Sequence, residues 1–209
     1  MSIVFIIIAT VTLCYILLIG LYNISWYRLK SLEASTYIPK TKVSIILPVR
    51  NEANHILACL SKICQQQYPA SLFEIIVADD SSNDNTVKLV NSFIKNSLSP
   101  KIKFIELSQL QLSSKKQAIH ESIKIAEGDL IITTDADCIM SEKWIGSIVD
   151  LYEKEKPAMI VGPVCFYQEK NVFQKLQSLE FLSLIASGAA SIRLGLPIMC
   201  NGANLAYEK

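Results

Sequence analysis

The hydrophobic pattern divides the chain at once. From Ile3 to Leu21 no residue is charged and nearly all are apolar. As a helix rising 1.5 Å per residue, such a run spans about 28 Å, close to the hydrocarbon thickness of a bilayer. Only Met1 and Ser2 precede it, so the basic leader of a cleaved signal peptide is missing. Tyr22, Trp26 and Tyr27 follow as an interfacial aromatic belt, and Arg28, Lys30, Lys40 and Lys42 lie beyond them. The pattern predicts an uncleaved transmembrane anchor over 1–27 and a polar linker over 28–41. By the positive-inside rule the expected placement is a single-pass anchor in the cell membrane, with the N-terminus outside and the following domain cytoplasmic.

Beyond the linker the periodicity alternates between strand and helix. Val43–Leu47, ended by Pro48, is a short continuous apolar run, as in a buried strand. Asn51 is placed to cap a helix carrying Ile56, Leu57, Leu60 and Cys64. Glu74–Ala78 reads as a second strand, and Asp84 as the cap of a helix with Val87, Val90 and Ile94. Lys103–Glu106 is a weaker third strand. Ala118, Ile119, Ser122, Ile123 and Ala126 form one helical stripe that Gly128 stops. Leu130–Thr134 is the fourth strand. Ser141 is the expected cap of a helix with Trp144, Ile145, Ile148, Val149 and Tyr152 inward, and Ala158–Val161 is a fifth strand. From Asn171 a broadly apolar helix runs to about Ala186, and Gly188–Ser191, Gly195 and Gly202 are expected to loosen the chain. Its apolar surface fits either packing in a core or contact with the membrane interface. Strand–helix units of about thirty residues predict an α/β domain over 42–209, a mostly parallel sheet with helices on both faces.

Composition changes this picture little. The 209 residues carry a net charge of +1 and a pI near 7.5, which gives no signal for nucleic acid. The six cysteines show no metal-ligand spacing and fit reduced thiols in a cytosol-facing domain. His55 and His120 have no partner at ligand spacing.

The acids matter more. In an α/β sheet, ligands bind outside the carboxyl ends of the strands. Three polar clusters fall there: Pro48-Val-Arg-Asn-Glu52, Asp79-Asp80-Ser81-Ser82, and Asp135-Ala-Asp137. In an extended segment Asp135 and Asp137 point to one side, with Cα atoms roughly 6–7 Å apart. Two carboxylates that close repel unless a cation or donor-rich ligand lies between them, and oxygen ligands of this kind suit Mg²⁺ or Mn²⁺. An ordinary Asp-rich turn is the competing reading.

These residues resemble the family 2 glycosyltransferases of GT-A fold, and the resemblance covers about residues 42–208. Val43–Glu52 is similar to the family's opening strand and nucleotide-binding turn, and Ile75–Asp84 to its second strand. Ser114-Lys-Lys-Gln-Ala118 is similar to a Gly-Lys-x-x-Ala element. Asp135-Ala-Asp137 matches the D-x-D motif, and Asn201-Gly-Ala-Asn204 resembles the loop lining the acceptor side. The resemblance implies a Rossmann-like nucleotide-binding domain in a membrane-anchored, bacterial-type member. It implies that Pro48 and Glu52 line the nucleotide pocket, that Asp79 and Asp80 hold the base, and that Lys115 approaches the nucleotide. Asp135 then contacts ribose or metal, Asp137 ligates the divalent ion on the diphosphate, and Gly202 and Asn204 lie on the acceptor side. The implied reaction is inverting, metal-dependent transfer of a sugar from a nucleotide sugar, UDP-linked by expectation, to a lipid-linked or cell-surface glycan. Ser81 and Ser114 stand where the family often has Gly. The family's general base follows the acceptor loop, so it is expected beyond Lys209, which reads as truncation at the C-terminus. Two other readings stay open: a nucleotide-sugar-binding remnant that lacks catalysis, and a phosphoacceptor receiver domain.

Overall fold

The computed structural model describes residues 3–29 and 39–209, so most of the expected linker lies outside the described residues. Contacts divide the described chain into two units. One holds the N-terminal helix with residues 163–201; the other holds residues 39–162 with 202–209.

The larger unit is built on a six-stranded sheet. Its strands are β1 (Val43–Val49), β2 (Phe73–Asp79), β3 (Lys101–Glu106), β4 (Leu130–Thr133), β5 (Met159–Val161) and β6 (Leu205–Glu208), in the order β3-β2-β1-β4-β6-β5. Pairings β1–β2, β2–β3 and β1–β4 are parallel, while β6 runs antiparallel to both β4 and β5. β2 is buried at all seven positions and β1 at six, the mark of a sheet covered on both faces. β3 is an edge strand, and Lys101 and Lys103 on it discourage further strand pairing.

Four helices of this unit are α2 (Ile56–Cys64), α3 (Thr86–Asn96), α4 (Lys115–Ile125) and α5 (Trp144–Glu155). Alternation along β1 sorts them by face. Val43, Ile45, Leu47 and Val49 share a core with Ile56, Leu60 and Ile63 of α2, Val90 of α3, and Ile145 and Val149 of α5. Ile46, Ile76 and Ile131 point the other way, where Ile119 and Ile123 of α4 pack on them. At the start of the unit, Lys40 N, Thr41 N and Thr41 Oγ1 all donate to Glu153 Oε1, fixing the chain's entry against α5.

In the smaller unit, α1 (Ile3–Tyr27) packs against α6 (Val172–Arg193), and Ser25 Oγ donates to the Ala190 carbonyl at 2.9 Å. α1 is long and apolar enough to cross a membrane. Asn171 caps α6 through its side chain, accepting from Gln174 N.

Local structure departs from the sequence expectation at several places. α6 does not loosen at Gly188–Ser191 but continues to Arg193. Alanines sustain it, and one interior glycine costs only about 1 kcal/mol. A Cβ on Gly188 would meet the Met199 carbonyl at 3.3 Å, so the glycine also admits a close return of the chain. Strand β6 has no counterpart in the sequence reading. Asn51 does not cap α2, which starts at Ile56; it adopts a left-handed conformation (φ 57) in the preceding turn. Ser141 caps α5 through no side-chain bond: its carbonyl accepts from Trp144 N and from Gln66 Nε2.

Candidate functional site

Every parallel strand delivers its chain to the same edge of the sheet, so the segments after β1, β2 and β4 meet there. Asp80 N donates to the Val49 carbonyl at 2.8 Å and Thr134 N to the Ile46 carbonyl at 3.2 Å, which carries the sheet register into the turns. The first two turns are then laced by side chains. Asn51 N donates to Ser82 Oγ, Asn83 N to Asn51 Oδ1, Glu52 N to Thr86 Oγ1, and Ala53 N to Asp84 Oδ2. Short polar residues suit this work because they bond nearby backbone without needing helix or strand geometry. Asp84 also accepts from Thr86 N and Oγ1, and these hydrogen bonds, the Thr86 hydroxyl foremost, hold its carboxyl below the ordinary range.

The acidic pair after β2 is buried. Asp79 Oδ2 accepts from Ser82 N at 3.0 Å, and Asp80 Oδ2 lies 3.4 Å from the Arg50 guanidinium. The other oxygen of each, Asp79 Oδ1 and Asp80 Oδ1, is buried with no hydrogen-bond partner among the described residues. A buried carboxylate oxygen without a donor costs free energy of about 1–3 kcal/mol, so such atoms mark a place where a ligand supplies N–H or O–H groups.

The third cluster follows β4. Lys115 Nζ, at the first position of α4, lies 2.5 Å from Asp135 Oδ1. Asp137 is exposed and, among the described residues, has no cationic partner. Cys59 Sγ approaches the Asp135 carbonyl at 3.7 Å. Burial pushes the Cys59 thiol up to about 12, with Cys138, Asp137, Asp135 and Glu52 adding to the effect. These neighbours bring the turn after β1 and the turn after β4 to the same spot. Glu52 itself reaches His55 Nδ1 at 3.0 Å. Pro48 is the half-buried residue of β1, opposite Ala78 in the register.

The segment leading from Asp137 into α5 is braced by the residues that follow α2. Gln66 is buried, donates through Nε2 to the Ser141 carbonyl and accepts from Ile145 N, while Gln67 bonds Glu142. On the far side, Thr133 Oγ1 donates to the Gly202 carbonyl at 2.8 Å, so Gly202 adjoins the end of β4. Asn204 is held inside the fold: its Oδ1 accepts from Trp144 Nε1 at 2.9 Å, and its carbonyl accepts from Gly162 N. A Cβ at Gly162 would lie 2.2 Å from Asn204 Nδ2, so glycine is required for this contact. Arg50, Thr133, Trp144, Gln66 and Cys59 were not singled out by sequence reasoning. Only Arg50, inside the first polar cluster, carried a signal.

Among the described residues no three His, Cys, Asp or Glu side chains form a metal cage. A divalent ion at Asp137 therefore has one or two carboxylates from the chain and needs its remaining oxygens from elsewhere. That is the coordination Mg²⁺ usually takes beside substrate phosphates, so the residues present fit such an ion. A separate shallow pocket, lined by Lys42, Phe73, Glu74, Lys101 and Glu127, lies at the opposite edge, where the strands begin.

Residues 44–206 match the family model described as glycosyl transferase family 2. Among curated proteins, the chain is 27% identical over 144 residues to a poly-beta-1,6-N-acetyl-D-glucosamine synthase of Staphylococcus epidermidis, covering 68% of this chain and 33% of that protein. It is 24% identical to an N-acetylglucosaminyltransferase of Azorhizobium caulinodans, over 100% of this chain and 54% of that one. The chain thus spans about a third to about half of these relatives. Among solved structures, the mannosyltransferase PcManGT from Pyrobaculum calidifontis, in complex with GDP-Man and Mn²⁺, aligns with a TM-score of 0.65 at 20% identity. That alignment covers 91% of this chain and 53% of the other. S. aureus TarS in complex with UDP-GlcNAc aligns with a TM-score of 0.53 at 23% identity, over 63% of this chain and 36% of that one. These likenesses give the fold, a GT-A α/β sheet.

Proposed function

The chain belongs to glycosyl transferase family 2, and from that premise we propose that it carries the donor half of a metal-dependent, nucleotide-sugar-using glycosyltransferase. The observation that carries this reading is the pair of buried oxygens without a partner among the described residues, Asp79 Oδ1 and Asp80 Oδ1, at the same edge of the sheet as the exposed Asp137. A nucleobase edge offers N–H donors to the first two. A diphosphate offers oxygens to an ion held by the third. In this reading Pro48 and Glu52 line the nucleotide, and Lys115, now paired with Asp135, lies beside it. Gly202 and Asn204 belong to the acceptor side; the hydrogen bond from Trp144 gives Asn204 a positioning part there.

The chemistry follows from the leaving group. Breaking the sugar–oxygen bond leaves negative charge on the nucleoside diphosphate, and a bound divalent ion supplies Lewis-acid stabilisation of that charge. Lys115 adds a cation within reach of the same region once it turns from Asp135. The Gln66 brace fixes the start of α5, into which the Asp135–Asp137 turn leads, and so limits reorganisation there during the reaction. The inverting outcome, UDP as the nucleotide, and a lipid-linked or cell-surface glycan acceptor complete the proposal. In the same reading α1 is a membrane anchor with its N-terminus outside, and the acceptor is presented at the cytoplasmic face of the membrane.

The test is calorimetric titration of the purified chain with a UDP-sugar, with and without Mn²⁺. Binding is expected only with the metal, and Asp137→Asn is expected to lose it while retaining the thermal transition. Metal-dependent binding unchanged by that substitution would sink the assignment.

A further inference from the structure

We infer that Lys115 is a built-in counter-ion that competes with a divalent ion for Asp135, and that a bound nucleotide relieves the competition by drawing the ammonium away. Metal and nucleotide are thereby made to bind together, and the chain by itself holds the ion weakly. The inference rests on the reading of Asp135 and Asp137 as the metal-binding pair.

Lys115 Nζ lies 2.5 Å from Asp135 Oδ1, so the ammonium covers the side from which another cation would reach that oxygen. An ammonium and a divalent ion on one carboxylate repel each other, and each binds better when the other has left. The surroundings make a cation there necessary. After burial and Cys138, the carboxylates of Asp137, Asp135 and Glu52 add to the rise of the Cys59 thiol, so the three acids act on one spot. Among the described residues, Lys115 is the only lysine or arginine paired with any of them. Carboxylates gathered so closely are stabilised by a cation, and the lysine supplies it.

Both ends of the pair are anchored, which leaves the lysine side chain as the moving part. The Asp135 carbonyl accepts from Cys138 N at 3.1 Å, and Cys59 Sγ lies 3.7 Å from it. Lys115 opens α4, which is set by the Ser114 cap on Gln117 N and by the buried Ala118. Its side chain is more than half exposed and carries the charge on a flexible four-carbon stem, so it swings without disturbing the helix. A diphosphate offers the ammonium a new anionic partner. The same movement frees Asp135 to join Asp137. By linkage, whatever the nucleotide adds to metal affinity, the metal adds equally to nucleotide affinity.

The experiment titrates the full chain with Mn²⁺ alone, following the free ion by electron paramagnetic resonance, and repeats the titration with UDP present. Lys115→Met is expected to bind Mn²⁺ alone about tenfold more tightly than the native chain, because one neighbouring cation is gone. Lys115→Gln is read in parallel, and Lys115→Arg, which keeps the charge, is expected to stay near the native affinity. In an Asp135→Asn background Lys115→Met is expected to gain nothing, since no carboxylate is left to compete for. UDP is expected to tighten Mn²⁺ binding less in Lys115→Met than in the native chain. Unchanged or weaker Mn²⁺ affinity in both neutral variants, with their thermal transitions retained, overturns the inference. An equal gain from Lys116→Met also overturns it, because the effect is then the general field of the helix start. Equal enhancement by UDP in the native chain and Lys115→Met overturns the nucleotide half. Those three results leave the metal reading standing. Mn²⁺ binding that Asp137→Asn does not weaken overturns that reading, and the inference with it.

Discussion

At Gly128 the backbone of β1 leaves no room for a side chain. A Cβ would come within 2.5 Å of Ser44 N and 2.6 Å of Val43 C, and Gly128 N already donates to Ser44 Oγ. Neither obstacle is the end of a flexible side chain, so Gly128→Ala is expected to destabilise by about 1–3 kcal/mol, measured by denaturant unfolding. Next to it, Glu127 accepts from Lys101 and Lys103, and these two lysines, Lys101 first, draw its carboxyl down to about 2. Its folded value lies below the ordinary 4.5, so the clasp contributes above 4.5 and is lost as pH falls toward 2. An NMR titration of the side-chain carboxyl should find the low midpoint, and Lys101→Met should raise it. Cys59 is the reverse case: buried and with a thiol pushed up to about 12, it stays protonated at neutral pH. Iodoacetamide labelling of the folded chain is expected to modify exposed Cys165 and Cys200 and spare Cys59; prompt modification of Cys59 would contradict its burial.

At the scale of elements, what the sequence disclosed follows from how each segment buries its side chains. β1, β2 and β4 were legible because strands covered on both faces read as unbroken apolar runs. α2, α4 and α5 were legible from their stripes, although the first turns of α2 and α5 were not. Asn51, read as a helix cap, is instead committed to the loop after β2, while Asp84 does accept from Thr86 N at the start of α3 and also reaches Ala53 N in the loop after β1. β6 is short and interrupts the parallel order, so nothing local announces it. Glu74 shows the same dependence on partners. As a charge within a strand it looks like a solvent-facing residue, yet it is buried, accepts from Ser44 Oγ and Glu127 N, and lies 2.8 Å from Lys103 Nζ. Glu74→Ala would leave those donors and the lysine without a partner. The expected loss is about 3 kcal/mol, because removing one side of a buried pair costs roughly that much. Glu74→Gln keeps an acceptor for Ser44 Oγ and Glu127 N, so an equal effect from it would point to lost charge rather than lost hydrogen bonds.

At the scale of the whole chain, the candidate site was legible as three polar strand ends, because parallel strands must deliver their exits to one edge. Its supports were not. The Trp144–Asn204 bond, the Gln66 brace and the Thr133–Gly202 contact join residues far apart in sequence, and no spacing rule anticipates them. The smaller unit was only half legible: α6 was read as apolar, while its packing on α1 depends on the small residues around Ala190.

β5 and β6 are hydrogen-bonded neighbours, Val161 opposite Leu205, and Gly162 N donates to the Asn204 carbonyl at 2.8 Å. In effect they form a β-hairpin whose connecting loop carries 163–201, α6 included, as an excursion. Closing a loop carries an entropy penalty that grows slowly with its length, so exchanging this excursion for a four-residue turn would recover about 2 kcal/mol. The sheet should therefore survive removal of the excursion, with hydrogen exchange in β4 and β6 unchanged or slower. Seen this way, the segment is a graft whose two cut ends lie side by side. A lineage carrying this fold can lengthen, shorten or replace it without renegotiating the strands that hold the site.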